Sequence, residues 1–241
     1  NADLRFVGGE PVNTALILSG GTGSRIGGDI PKQYIEIYGK PIICYCLETI
    51  ASNEMIDAIQ IAADIAWQDF ILEHMKDTVF EQKFKGFSLP GANRQLSIWN
   101  GLEEMKKFAS DQDLVFIHDA ARPLLSHDLI RQCIEAADGY DGVLPVLPMK
   151  DTVYMSEDGE KITSLLNRSQ IFAGQAPEVF AFGAYYMANQ ALFPEKILKI
   201  NGSTEPAIMA GMKVKMIPGD ERNFKVTTRE DLKRFEEHGG L

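Results

Sequence analysis

The residues best suited to chemistry lie in one stretch, Ser19-Gly20-Gly21-Thr22-Gly23-Ser24-Arg25-Ile26-Gly27-Gly28-Asp29-Ile30-Pro31-Lys32-Gln33-Tyr34. Glycines let a backbone approach an anion closely, and successive N–H groups form a cradle for phosphate oxygens. Arg25 adds a two-pronged cation and Lys32 a point charge. Two cations flanking such a loop suit a triphosphate better than a single phosphate. Other phosphate loops fit less well. A Walker A loop ends in Gly-Lys-Ser/Thr, whereas this one runs Gly23-Ser24-Arg25. A dinucleotide fingerprint needs GxGxxG, and Gly21-x-Gly23 is followed by Gly27, one residue too late. No tyrosine has a lysine four residues on, the pair a short-chain dehydrogenase would need. A glycine turn without a ligand would leave both cations unexplained.

A loop of this kind must be held at the end of a strand, and the sequence supplies one. Short apolar runs recur at Thr14–Ser19, Ala58–Ala63, Leu114–His118, Gly142–Leu147 and Val214–Ile217. Stretches with helical periodicity separate them: Ile42–Ile50, Trp67–Met75, Gln95–Phe108 and Asp128–Ala137. Strands alternating with helices predict an α/β, doubly wound, mostly parallel sheet whose ligands sit beyond the carboxyl ends of the strands. One region breaks the rhythm. Asp151–Met155, a polar SEDG turn and Lys161–Leu166 predict a β-hairpin with no helix between its strands, projecting as an arm at about residues 150–172. The chain is expected to form one domain, 1–241, carrying that arm.

The 241 residues are enough for a substantial core, with 45% hydrophobic and 24% charged residues. No apolar run is long enough to span a membrane. The segment NADLRFVGGEPVN has neither a basic start nor an apolar core, so no export signal is expected. Cys44, Cys46 and Cys133 are too few for a disulfide framework and read as reduced core thiols, and the four histidines have no zinc spacing. A cytoplasmic protein fits these features. The net charge of −10 argues against a nucleic-acid partner and requires any phosphate site to concentrate positive charge locally.

GGTGSRIG…PKQY, GANRQLSI, HDAARP, KDT, the NR of LLNRSQ, GQAP and NFKVTT occur in that order along nearly the whole chain. In this the sequence resembles the 2-C-methyl-D-erythritol 4-phosphate and ribitol-5-phosphate cytidylyltransferases. The resemblance implies a Rossmann-like nucleotidyltransferase fold that joins CTP to a polyol phosphate and releases pyrophosphate. It implies that Arg25 and Lys32 hold the β- and γ-phosphates, with Gly20, Gly21, Thr22, Gly23 and Ser24 as the cradle. Asp119, beside Ala120, would hold Mg²⁺ on the triphosphate; a hard carboxylate suits that ion. Gly91, Asn93, Arg94 and Ser97 match the segment that recognises the cytosine and ribose. Lys225 would contact the α-phosphate and the incoming phosphate. Asp119, Arg122, Thr152, Arg168 and Lys225 would hold the polyol phosphate, with Arg122 equally able to brace the fold. A homodimer with interlocked arms is also implied.

Some residues depart from the family pattern. The GGTG form and Gly174-Gln175 look more like the ribitol branch, whereas HDAARP and Lys150-Asp151-Thr152 look more like the methylerythritol branch. Arg222 stands where an acidic residue is usual, with Asp220 and Glu221 nearby. 2-C-methyl-D-erythritol 4-phosphate is the expected acceptor, with ribitol 5-phosphate or a related polyol phosphate as the alternative. A non-catalytic nucleotide-binding module and an NAD-dependent oxidoreductase remain the readings from other classes.

Overall fold

The computed structural model describes residues 11–21 and 30–238. Strand β1 (Asn13–Leu18) leads to the glycine loop, and the small ribbon β2 (Glu36–Ile37) and β3 (Lys40–Pro41) feeds helix α1 (Ile42–Ser52). Next come β4 (Ala58–Ala62), α2 (Ile65–His74), α3 (Phe80–Lys83), β5 (Phe84–Ser88) and α4 (Arg94–Met105). Then follow β6 (Leu114–Asp119), α5 (His127–Glu135) and β7 (Gly142–Pro148). A detached hairpin, β8 (Tyr154–Met155) and β9 (Ser164–Leu165), precedes β10 (Phe172–Gly174) and β11 (Glu178–Ala181). The chain ends through α6 (Phe182–Gln190), α7 (Glu205–Met209), β12 (Val214–Pro218) and α8 (Arg229–His238).

The five predicted strands and four predicted helices are present, with shifted ends. Helix α2 starts earlier than its periodicity implies because the Asp64 carboxylate accepts from Ala66 N–H and caps it. Helix α4 stops at Met105 and finishes in turns rather than running to Phe108. The hairpin is much shorter than predicted, with two paired residues on each strand. Among the described residues it is an isolated ribbon with no further strand to extend its ladder. Strands β5, β10 and β11 carried no clear period-2 pattern. The last two are short and flank the cis Ala176-Pro177 bond.

The large sheet is mixed. β5, β4, β1 and β6 run parallel in that spatial order, and β11 lies antiparallel between β6 and β7. Val143 pairs with both Val179 and Lys215, so β12 occupies the opposite edge of β7, parallel to it. Because β1 is flanked by β4 on one side and β6 on the other, the strand order reverses there. The carboxyl ends of β1 and β6 border a topological switch point.

Both sheet faces are covered, which explains why the central strands are apolar at nearly every position. Ala15, Ile17 and Phe116 face Ile43, Leu47 and Ile50 of α1 and Leu129, Ile130 and Cys133 of α5. Leu16, Val115 and Ile117 face Ile98, Leu102 and Met105 of α4 and Tyr185 of α6. The three cysteines are buried and free, as the sequence implied. Helix α4 comes so close to β1 that a Cβ on Gly101 would lie 2.4 Å from Leu16 Cδ1. Gly101→Val should therefore overpack this face and cost about 1–3 kcal/mol. In the double variant with Leu16→Ala the losses should sum to less than the two single losses, read from urea unfolding midpoints. Strict additivity would show that the two residues do not compete for space.

Candidate active site

Lys225, Arg94 and Arg122 converge on one carboxylate, that of Asp119, the last residue of β6. Lys225 Nζ lies 3.1 Å from Asp119 Oδ2, Arg94 Nε 3.2 Å from Oδ1 and Arg122 Nε 3.4 Å from Oδ2. Burial by itself would raise the Asp119 carboxyl. The charges of Arg94, Lys225 and Arg122 outweigh it and hold the group well below the usual carboxylate range. Behind it the buried His118 ring is pushed down to about 4, chiefly by desolvation, and is neutral at pH 7. Its Nε2 therefore donates to the Arg122 carbonyl at 3.1 Å.

Asp119 lines a cavity of about 660 Å³ at the switch point, a size suited to a nucleotide. Gly20, Gly21, Lys32 and Gln33 line it at the end of β1; Gly91, Ala92, Asn93, Arg94 and Ser97 line it from the start of α4. Asp119, Ala120, Lys225 and Thr227 complete the wall. Gly20 is required by packing, since a Cβ there would meet Pro90 Cβ at 2.2 Å. The structure thus brings the two ends of the glycine stretch to the expected place. Thr22, Gly23, Ser24 and Arg25 lie outside the described residues.

The residues matched to cytosine recognition are partly used to build the loop itself. Asn93 Oδ1 accepts from Leu96 N–H and caps α4, while its Nδ2 donates to the carbonyls of Ile197 and Leu198. Ser97 Oγ accepts from Gly91 N–H and donates to the Asn93 carbonyl. Arg94 spans Asp119 and the buried Glu178, whose carboxylate lies 3.5 Å away, and also donates to Ser203 Oγ. Burial raises the Glu178 carboxyl despite the nearby Arg94 charge. Glu178 and Ser203 carry no motif of their own. Glu178 joins the site because β11 pairs with β6, and Ser203 because its loop is tied to α6, where the Tyr185 hydroxyl donates to the Ser203 carbonyl.

Lys225 also lines a second cavity of about 440 Å³, with Arg122, Lys150, Gln175, Glu221 and Arg234. The loop carrying Lys225 is fixed from several sides. Arg122 Nη1 donates to the Asn223 carbonyl at 2.8 Å, Asn223 Nδ2 donates to the Ala176 carbonyl, and Gln175 Nε2 donates to the Asp220 carbonyl. Asp220 is bound to Arg222 and Glu221 to Lys150, and neither lines the cavity that Asp119 lines. Thr152 and Arg168 are not brought to either cavity. Both are exposed on the arm, where Arg168 donates to the Lys150 carbonyl.

A sequence model described as IspD, 2-C-methyl-D-erythritol 4-phosphate cytidylyltransferase, matches residues 13–238. The chain belongs to this family. It is 33% identical over 221 residues to the Geobacter metallireducens 2-C-methyl-D-erythritol 4-phosphate cytidylyltransferase, covering 90% of this chain and 93% of that one. The Clostridium beijerinckii enzyme of the same name is 32% identical over 219 residues, covering 91% and 94%. Among solved structures, the Francisella tularensis cytidylyltransferase superposes with a TM-score of 0.78 at 26% identity, covering 92% of this chain and 97% of that chain. The Anaerococcus prevotii 4-diphosphocytidyl-2C-methyl-D-erythritol synthase, at 24% identity, shares the fold with a TM-score of 0.81, covering 96% and 97%. Among the described residues no helix is long and apolar enough to cross a membrane.

The ion cluster makes a testable stability claim. Arg94→Met leaves the Glu178 carboxylate buried without its cation and should cost about 3 kcal/mol. Adding Glu178→Gln removes the uncompensated charge and should recover much of the loss, measured by chemical denaturation. No recovery would mean that Arg94 acts through its packing alone.

Proposed function

We propose that this chain transfers a cytidylyl group from CTP to 2-C-methyl-D-erythritol 4-phosphate and releases pyrophosphate. The observation that carries the reading is that Lys225 lines both cavities. One ammonium thus stands between a nucleotide-sized space and a second polar one, where two phosphates must meet. The acceptor's phosphate oxygen attacks the α-phosphorus of CTP. A new P–O bond forms, the bond to the β-bridging oxygen breaks, and pyrophosphate leaves with that electron pair. The acceptor phosphate is already ionised at pH 7, so no general base is needed. The buried, neutral His118 is consistent with that.

Catalysis here is positioning and charge neutralisation. Lys225 lowers the repulsion between two anions as they approach. Lys32 and Arg25 take the β- and γ-phosphates, while Gly20 and Gly21 offer backbone to their oxygens. Arg122 fixes the Lys225 loop through the Asn223 carbonyl and leans on Asp119. Asn93 and Ser97 shape the loop that receives the pyrimidine.

Mg²⁺ is part of the proposal. Among the described residues no group of three histidine, cysteine or carboxylate side chains gathers to hold a metal by itself. A single carboxylate in a cavity meant for phosphates nonetheless fits an ion that takes one or two protein carboxylates and completes its shell with phosphate oxygens and water. Asp119 would hold it, and the ion would neutralise charge on the leaving pyrophosphate.

The second subunit is also proposed. Tyr154, Met155, Ile162 and Leu165 of the arm are exposed, with Ile162 at 68% and Leu165 at 65%. A lone ribbon does not leave such side chains in water without cost. A partner related by a two-fold axis would cover them and place its own Arg168, and with it Thr152, near the cavity beside Lys225.

Protein supplied with Mg²⁺ and CTP should release pyrophosphate with 2-C-methyl-D-erythritol 4-phosphate and far less with ribitol 5-phosphate. ATP, GTP or excess EDTA should abolish turnover. Equal rates with ATP, or a preference for ribitol 5-phosphate, would overturn the substrate assignment. Lys32→Ala and Arg25→Ala should each lower turnover about 10²–10³-fold with little change in thermal midpoint.

The arm is tested by mixing. Arg168→Ala and Lys225→Ala should each be inactive alone. Refolded together, they should regain about a quarter of wild-type sites if arms are exchanged across a two-fold axis. A mixture that forms mixed dimers yet stays as inactive as either parent would assign Arg168 to its own subunit.

A further inference from the structure

The glycine loop is gripped from below by a side chain that none of the roles above uses. Gln33 is buried at 2% exposure, and its amide nitrogen lies 2.8 Å from two carbonyls, those of Ser19 and Gly21. Both protons of one amide are thus spent on the backbone of Ser19 and Gly21. Tyr34 holds the same point from the next position. Its hydroxyl donates to the Ser19 carbonyl at 3.1 Å and accepts from Ser19 Oγ at 2.8 Å. The Tyr34 ring is itself fixed, stacked on Trp67 at 4.3 Å and set edge-on to Phe70.

Peptide geometry turns this grip into an orientation. The carbonyl of Ser19 and the N–H of Gly20 point to opposite edges of one planar trans unit. Tying the carbonyl down to Gln33 and Tyr34 therefore turns the Gly20 N–H the other way. Gly20, Gly21, Gln33 and Lys32 all line the same cavity wall. Lys32 immediately precedes Gln33, so one short 3₁₀ turn, Lys32–Tyr34, supplies both the cation and the clamp.

We propose that Gln33, backed by Tyr34, is a positioning residue that presets the Ser19–Gly21 backbone for the phosphates beyond the α-phosphate of CTP. It makes no base or ribose contact and acts only through the carbonyls it holds. This inference rests on the cytidylyltransferase reading, and its test keeps the two apart.

The test compares CTP, CDP and CMP binding by calorimetric or competition titration in wild type and in Gln33→Met, which keeps length but has no donor. Wild type should bind CTP, and the variant should bind CTP and CDP roughly 10-fold or more weakly, as the loss of two hydrogen bonds implies. CMP affinity and the KM for the polyol phosphate should not move, whereas the KM for CTP should rise. Tyr34→Phe keeps the Trp67 stack, loses the hydroxyl, and should shift CTP in the same direction by less. It also serves as the readout if Gln33→Met does not fold. Equal weakening of CTP and CMP, or no change in either, would overturn the positioning role. A wild-type protein that binds no CTP would instead overturn the nucleotide assignment.

Discussion

A carboxylate under three cations organises this molecule. Asp119 sits at the end of β6, and Arg94, Arg122 and Lys225 reach it from the start of α4, from the turn that follows β6 and from a loop near the end of the chain. These segments are far apart in sequence, and the charge cluster is where they are tied together. Much of the surrounding bonding follows from it. Glu178 balances the far side of Arg94, and Arg122 grips the backbone that presents Lys225. Removing a member of such a half-buried network strands its partners, which is why the loss should exceed that of a surface pair.

The same cluster solves a problem of charge. A chain with a net charge of −10 repels a triphosphate at long range, so affinity must come from a few cations held close together. Asp119 keeps those cations at the sheet's switch point before any substrate arrives. Lys225, at 37% exposure, is the member of the three most open to solvent and the one that faces both cavities.

The arm and the core obey different rules. The core strands are buried on both faces by helices and are complete within one chain. The arm has only one ribbon, and Asp158 in its turn is satisfied locally by the N–H groups of Glu160 and Lys161. That local bonding fixes the turn but gives the apolar side chains of the strands nothing to pack on. The core is thus accounted for within one chain, whereas the apolar side chains of the arm are left exposed.

Much of this was legible in the sequence. The alternation of apolar runs and helical periods determined the α/β sheet, because a strand buried on both faces must be apolar throughout. The glycines and Lys32 pointed to a phosphate loop after β1, since close-approaching backbone and local positive charge suit an anion, whereas HDAARP at the end of β6 spoke only through the family resemblance. Tertiary structure decided the rest. Glu178 reaches Arg94 only through the pairing of β11 with β6, and Ser203 only through the docking of its loop on Tyr185, and nothing in EVFA or NGST signals it. Asn93 and Ser97 look like ligand contacts in a list of motifs, yet their side chains first satisfy the backbone around them. The clamp made by Gln33 was hidden for the same reason, although the residue stands in the PKQY motif: its two hydrogen bonds go to carbonyls, which every residue has, and only the folded chain chooses which carbonyls are near.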